Sequence, residues 1–191
     1  METQQSGRYP VIYLDPPWSF NNKRTGGSLV SGAAAQYNVM TISQMALLPV
    51  PDLAAQDCAM FMWWVGSQPA EALWLVEAWG FTLKTMTGFV WEKLTKNGLP
   101  FFGMGFWTRQ GAENCLIAVK GKPKRVSAAV RSVVRAPVGR HSEKPDIFRQ
   151  EIVRLMGDVP RVELFARQQT AGWDVWGNEV EGLELTAGGW R

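Results

Sequence analysis

The sequence predicts an α/β domain whose sheet is covered on both faces, and three observations carry that prediction. Short apolar runs rich in β-forming residues recur along the chain. Amphipathic stretches with helix stops separate several of them. The strand-like runs are continuously apolar rather than alternating, so each must be buried on both sides. At 191 residues, with 46% hydrophobic and 19% charged residues, the chain can bury one sizeable core. No internal repeat or linker appears, so a single domain is expected over 1–191, with its core at about 9–182.

The first run, Val11-Ile12-Tyr13-Leu14, reads as a buried strand ending in Asp15-Pro16-Pro17-Trp18. Two prolines in succession stop the strand and hold the chain extended. In open α/β sheets, ligands sit just beyond such strand ends. Asp15 offers a charged acceptor there, and the Pro16 and Pro17 carbonyls are expected to be free to accept as well. Trp18 offers a flat surface on which a planar heterocycle can stack. Acceptors beside a stacking face suit the exocyclic amine of a base. Asp-Pro-Pro is also ordinary turn chemistry, so these residues alone leave both readings open.

Residues 21–36 are rich in Gly, Ser and Ala, with Lys23 and Arg24 near the start, and read as a loop over the site. Residues 41–48 read as a short helix stopped by Pro49 and Pro51, and 58–65 as a buried strand. Ser67 is placed to cap a helix over 69–79 that Gly80 ends. A strand over 82–91 precedes a loop over 93–110, where glycines, aromatics and cations interleave. A strand over 113–119 leads into a basic segment. Between Lys120 and Arg140 lie seven cations (Lys120, Lys122, Lys124, Arg125, Arg131, Arg135, Arg140) and no acid. Such a segment is either an electrostatic footprint for a polyanion or a solvated face. Residues 126–135 read as a strand, 145–156 as a helix carrying Ile147, Phe148, Ile152 and Leu155, and 161–165 as the last buried strand.

Several classes are excluded. No apolar run reaches the roughly 18 residues of a membrane span, and the first ten residues do not resemble a signal peptide. Cys58 and Cys115 lie in apolar runs at a spacing that fits no zinc pattern, so no metal is expected. Reduced thiols fit a reducing cytoplasm.

Asp15-Pro16-Pro17-Trp18 resembles the signature of amino-group adenine methyltransferases, in which Asp or Asn precedes Pro-Pro and an aromatic. The chain resembles more closely the family of the seventy-kilodalton catalytic subunit of messenger-RNA adenosine N(6)-methyltransferase, with its bacterial and phage relatives. The matching pieces run in order. They are Tyr37 beyond the Gly-rich loop, Gly111-Ala112-Glu113-Asn114 opening a central strand, Ser142-Glu143-Lys144-Pro145, and Arg161 to Arg167 followed by Trp173 and Gly177-Asn178-Glu179. Together they cover about residues 9–182.

The resemblance implies a Rossmann-like S-adenosylmethionine-dependent fold in permuted order, with the catalytic strand first and the cofactor strand last. It implies methyl transfer from S-adenosylmethionine to the 6-amino group of adenine. Asp15 and the Pro16 carbonyl would accept the amino hydrogens, and Pro17 and Trp18 would complete the catalytic turn. Lys144 would meet the methionine carboxylate, and Arg167 and Asn178 the ribose, with Gln168, Gln169 and Glu179 nearby. Glu163 would contact the cofactor or orient Arg167. Trp18 and Tyr37 would hold the base. Lys23, Arg24, Arg109, Glu113, Lys122, Lys124 and Arg125 are the expected substrate-side residues.

The chain departs from the family in two places. Only residues 1–10 precede the catalytic strand, where family enzymes often carry an aspartate that contacts the cofactor adenine, and Gln168-Gln169-Thr170 stands where the messenger-RNA enzymes have His-Asn. With little chain outside the core, the expected substrate is DNA with a short or relaxed target sequence, read by a homodimer. An RNA adenosine methyltransferase is the alternative. A non-catalytic nucleic-acid-binding subunit would have lost Asp15, Lys144, Arg167 or Asn178, and all four are present. A protein-glutamine methyltransferase would carry Asn in place of Asp15.

Overall fold

A computed structural model describes residues 8–18, 40–105, 107–140 and 143–181, together with the backbone of a short hairpin at 185–190 whose turn residues are not described. Tyr37, Lys23, Arg24 and the whole expected loop over 21–36 lie outside the described residues.

Nine strands and four helices occur among the described residues. They are β1 (Tyr9–Leu14), α1 (Ile42–Ala46), α2 (Val50–Leu53), β2 (Ala54–Trp64), α3 (Pro69–Ala78), β3 (Thr82–Leu94), β4 (Ala112–Lys120), β5 (Val133–Pro137), α4 (Ile147–Met156), β6 (Arg161–Leu164) and β7 (Asp174–Trp176), with β8 (Leu185–Thr186) and β9 (Gly189–Trp190) as the separate hairpin. Seven strands form one sheet in the order β5-β3-β4-β2-β1-β6-β7. The strands β2, β1, β6 and β7 run parallel, as do β3 and β5, while β4 is antiparallel to both of its neighbours.

The two-sided burial expected of the apolar runs is realised residue by residue. Ile12 and Leu14 of β1, with Met60 and Met62 of β2, face the core made with Leu75, Val76 and Trp79 beside helix α3. Val11, Tyr13, Ala59, Phe61 and Trp63 face the other core, made with Phe148, Ile152 and Met156 of α4. Successive strand residues point to opposite faces, so a run with no polar alternation needs a layer on each side. Cys58 and Cys115 are buried free thiols on opposite faces.

Four local expectations are corrected. The helix expected over 41–48 forms as α1, but Pro49 and Pro51 do not end helical structure there. Thr41 and Gln44 form a capping box for α1, and α2 then begins after Pro49 with Pro51 in its first turn, where a missing N–H costs nothing. Gln68 rather than Ser67 precedes α3, and its side chain makes no cap. Strand β3 continues to Leu94, so Lys93 belongs to the sheet and not to a loop. Of the strand expected over 126–135, only residues from Val133 onward pair, because the Val126 and Ser127 amides are already taken by the Leu155 carbonyl.

The strand directions decide where the loops go. Leu14 pairs beside Met62 and Leu164, and Leu164 beside Trp176. Antiparallel β4 begins at that same end, with Asn114 opposite Trp64, and finishes at the far end, with Lys120 opposite Cys58. The carboxyl end of β3 meets the start of β4 through Glu92 and Ala112. Asp15, Lys93, Glu113, Phe165 to Arg167 and Gly177 to Glu179 therefore emerge at one end of the sheet.

Candidate active site

At that end the chain assembles four alternating charges. The Lys144 ammonium donates to Asp15 Oδ2 at 2.6 Å and stands 3.2 Å from Glu113 Oε2. The other Glu113 oxygen accepts from Lys93. Each group comes from a different segment: Asp15 from the turn after β1, Lys93 from the end of β3, Glu113 from the start of β4, and Lys144 from the approach to α4. Lys144 also lies over the Trp63 ring, 5.3 Å from its centroid.

Burial and charge set the protonation states. Burial pushes the Asp15 carboxyl up, and the Lys144 ammonium pulls it part of the way back, leaving it above the ordinary aspartate value of 3.8. Burial also raises Glu113, but Lys144 and Lys93 outweigh that and hold it below 4.5. Burial lowers Lys144, yet the two carboxylates around it raise it above 10.5. Two carboxylates and two ammonium groups close together leave the cluster neutral, with each charge paired.

The turn itself is tighter than the sequence suggests. The Pro16 carbonyl accepts the Trp18 amide at 2.8 Å, and the Pro17 carbonyl accepts the Met40 amide at 3.4 Å. Neither carbonyl is therefore free, although a carbonyl oxygen has two lone pairs and can still take a second donor. Trp18 is a larger correction. Its ring is only 4% exposed and belongs to the core of β1 and α3, and its indole N–H donates to the Trp63 carbonyl at 3.1 Å. Its buried ring, with the N–H engaged, is turned into the core.

Glu163 is also placed differently from expectation. Both of its oxygens accept from Arg149, from Nε and Nη2 at 2.6 Å each. It orients Arg149 rather than Arg167 and lies buried beneath α4, beside Tyr13 in the neighbouring strand. Arg149 went unnoticed in the sequence, although a signal exists: Arg149, Ile152 and Met156 share the helix face that is buried. Lys93 lies beyond the strand end at 91 that the sequence suggests, so its place beside Glu113 is not legible there.

Arg167 follows β6 and is near enough to Asp15 to act on its charge. Gln168, Gln169, Asn178 and Glu179 are exposed on the adjoining turns, and the Gln169 amide donates to the Glu181 carbonyl. The structure thus brings Asp15, Glu113, Lys144, Arg167, Asn178 and Glu179 to one end. It takes Lys122, Lys124 and Arg125 to the other, which corrects their expected place at the substrate side. The Lys122 amide is tied to Asp57, near the start of β2, and the next residues to the Leu155 carbonyl. The cause is the antiparallel course of β4, which carries the chain away from Asp15.

A family model described as MT-A70 matches residues 9–179. The chain belongs to the MT-A70 family. It is 34% identical over 189 residues to the Type II methyltransferase M.MunI of Mycoplasma sp, across 91% of this chain and 78% of that protein. It is 28% identical over 193 residues to the N(6)-adenosine-methyltransferase MT-A70-like protein of Arabidopsis thaliana, and 26% identical over 188 residues to the human N(6)-adenosine-methyltransferase catalytic subunit METTL3. The match covers 26% and 29% of those two longer proteins, so this MT-A70 chain corresponds to a minor part of each. No described helix is long and apolar enough to cross a membrane.

Proposed function

We propose that the chain transfers a methyl group from S-adenosylmethionine to the 6-amino group of adenine in DNA, acting in the cytoplasm on a short or relaxed target sequence. The observation that carries this reading is the Asp15–Lys144 pair at the end of β1, with Pro16-Pro17 following Asp15 at once. The similarity to a Type II methyltransferase along most of both chains supports DNA as the substrate.

The donor set fits the cofactor. Its amino-acid end carries one positive and one negative group, which suits a cluster in which Lys144, Asp15 and Glu113 alternate in sign. Lys144 would hold the carboxylate, and Arg167 and Asn178 the ribose, from turns that leave adjacent strands. S-adenosylmethionine supplies an electrophilic methyl group.

The residues of the chain supply position and charge. The adenine amino nitrogen is a poor nucleophile because its lone pair is delocalised into the ring. Asp15 accepts one amino hydrogen, and the remaining lone pair of the Pro16 carbonyl accepts the other. Both acceptors favour a pyramidal nitrogen and stabilise the positive charge that develops on it. Lys144 keeps Asp15 ionised for that task by offsetting its burial. In duplex DNA the target adenine must first leave the stack.

The test is transfer from labelled S-adenosylmethionine to unmethylated DNA and to matched RNA, with Asp15→Ala as control. N(6)-methyladenine in DNA, lost in Asp15→Ala, is the expected result. Signal in RNA alone would move the assignment to an RNA adenosine methyltransferase; N(6)-adenosine methylation is the activity in the names of the plant and human relatives. No cofactor binding at all would end the enzyme reading.

A further inference from the structure

Between β3 and β4 the chain does not form an open loop. It makes a tight turn over Thr95–Leu99, where Leu94 bridges Pro100, and then an outer hairpin closed by Gly103 and Gln110, the two together forming one projecting segment. The Lys93 amide donates to the Gly111 carbonyl and the Phe101 amide to the Lys93 carbonyl, while Gly103 and Gln110 exchange both of their backbone hydrogen bonds. Two glycines permit this closure. A Cβ at Gly103 would lie 2.7 Å from the Gln110 carbonyl oxygen, and one at Gly105 would lie 2.5 Å from that of Thr108. The hairpin is therefore specified by its own residues.

What it carries is unusual for a surface. Phe102 is 76% exposed, Met104 80% and Leu99 63%, and Trp107 is fully exposed. Trp107 also has φ 66°, a left-handed conformation that a bulky side chain seldom adopts. An ordered hairpin that holds large apolar side chains in water is a surface that expects a partner.

The charge of the segment favours one partner. From residue 94 to 110 there is no acid, and Lys96 and Arg109 are the cations. The Arg109 guanidinium lies over the Phe102 ring at 5.1 Å, so charge and aromatic face are presented together. The base of the hairpin is joined to the charge cluster, because Lys93 lies over the Phe101 ring and pairs with Glu113, which pairs with Lys144 and through it with Asp15. The hairpin thus rises beside the place where the adenine must arrive.

We infer that this hairpin is a wedge for duplex nucleic acid, with Phe102 and Trp107 entering the base stack beside the target adenine while Arg109 and Lys96 meet the phosphates. The inference rests on the adenine reading of the site. Inserted aromatic side chains offset the unstacking that extrusion of a base requires. A single strand has no stack to open, so the wedge acts on duplexes alone.

The experiment uses the full chain, a Phe102→Ala/Trp107→Ala double variant and a Trp107→Phe variant. Each is given unmethylated plasmid DNA and the same DNA heat-denatured, with labelled S-adenosylmethionine. Binding to a labelled duplex oligonucleotide of random sequence is followed in parallel by anisotropy and by tryptophan quenching. The double variant should lose transfer to duplex DNA at least tenfold and keep transfer to denatured DNA within about threefold, while Trp107→Phe keeps most of both. Equal loss on both substrates, or no loss on either, overturns the wedge. A change from dimer to monomer in ultracentrifugation without a duplex-specific defect assigns the hairpin to contact with a second copy instead. If the parent chain transfers methyl to neither DNA, the adenine reading fails, and the binding arm still decides the wedge: unchanged duplex affinity in the double variant, with equal tryptophan quenching in the parent and in Trp107→Phe, overturns it.

Discussion

The Lys144 ammonium stands 2.6 Å from the Asp15 carboxylate although 129 positions separate them in the chain. On the proposed mechanism the pairing couples the acid limb of the reaction to a lysine. Asp15 must be ionised to accept an amino hydrogen, and burial holds its pKa above 3.8. Transfer should therefore fall on acidification at a higher pH than an ordinary aspartate would give. Removing the cation in Lys144→Gln takes away an interaction that lowers the Asp15 pKa, so the limb should move to still higher pH. Glu113→Gln takes away one that raises it, so the limb should move down. Profiles of kcat/KM against pH for the three chains check both signs, and limbs that shift together would contradict the pairing.

The Arg149–Glu163 pair should behave as a buried bidentate ion pair. Arg149→Met alone leaves a carboxylate buried without its cation and should cost about 3–5 kcal/mol. Adding Glu163→Leu to that variant should recover most of the loss, because the charge that lacked a partner is gone. Urea unfolding of the single and double variants measures the difference.

Trp18 acts on stability more than on the base. Trp18→Phe keeps an aromatic ring in the core and deletes the N–H that reaches the Trp63 carbonyl. The expected loss is about 1 kcal/mol, with the KM for DNA little changed. A large rise in KM with unchanged thermal stability would return Trp18 to the base.

The far end of the sheet should tolerate loss of charge but not of shape. Lys122→Gln/Lys124→Gln/Arg125→Gln should leave turnover at saturating DNA within about twofold of the parent, since these residues lie away from Asp15. Gly121→Ala should destabilise the fold by about 2 kcal/mol. Its φ is 65°, and a Cβ there would sit 2.3 Å from both Asp57 Oδ1 and the Gln56 carbonyl oxygen. Thermal melts and initial rates on the two variants separate these effects.

Local pattern was enough to read the strands, because continuous apolar runs such as 11–14 and 58–65 have one stable destination, a sheet buried on both faces. It was also enough to mark Asp15-Pro16-Pro17 as the end of a strand, while Lys144 came from the family resemblance. Pattern could not settle which charge meets which. Lys93, Glu113, Lys144 and Asp15 come from four segments, and only the sheet order brings them together. Nor could it say that Trp18 turns inward, since an indole after Pro-Pro can face either way until the helix layer is in place. The place of Lys122, Lys124 and Arg125 turned on a single fact of tertiary structure. β4 runs antiparallel to β2, so the residue at its start joins Asp15 and the cations at its end are carried to the opposite side of the molecule.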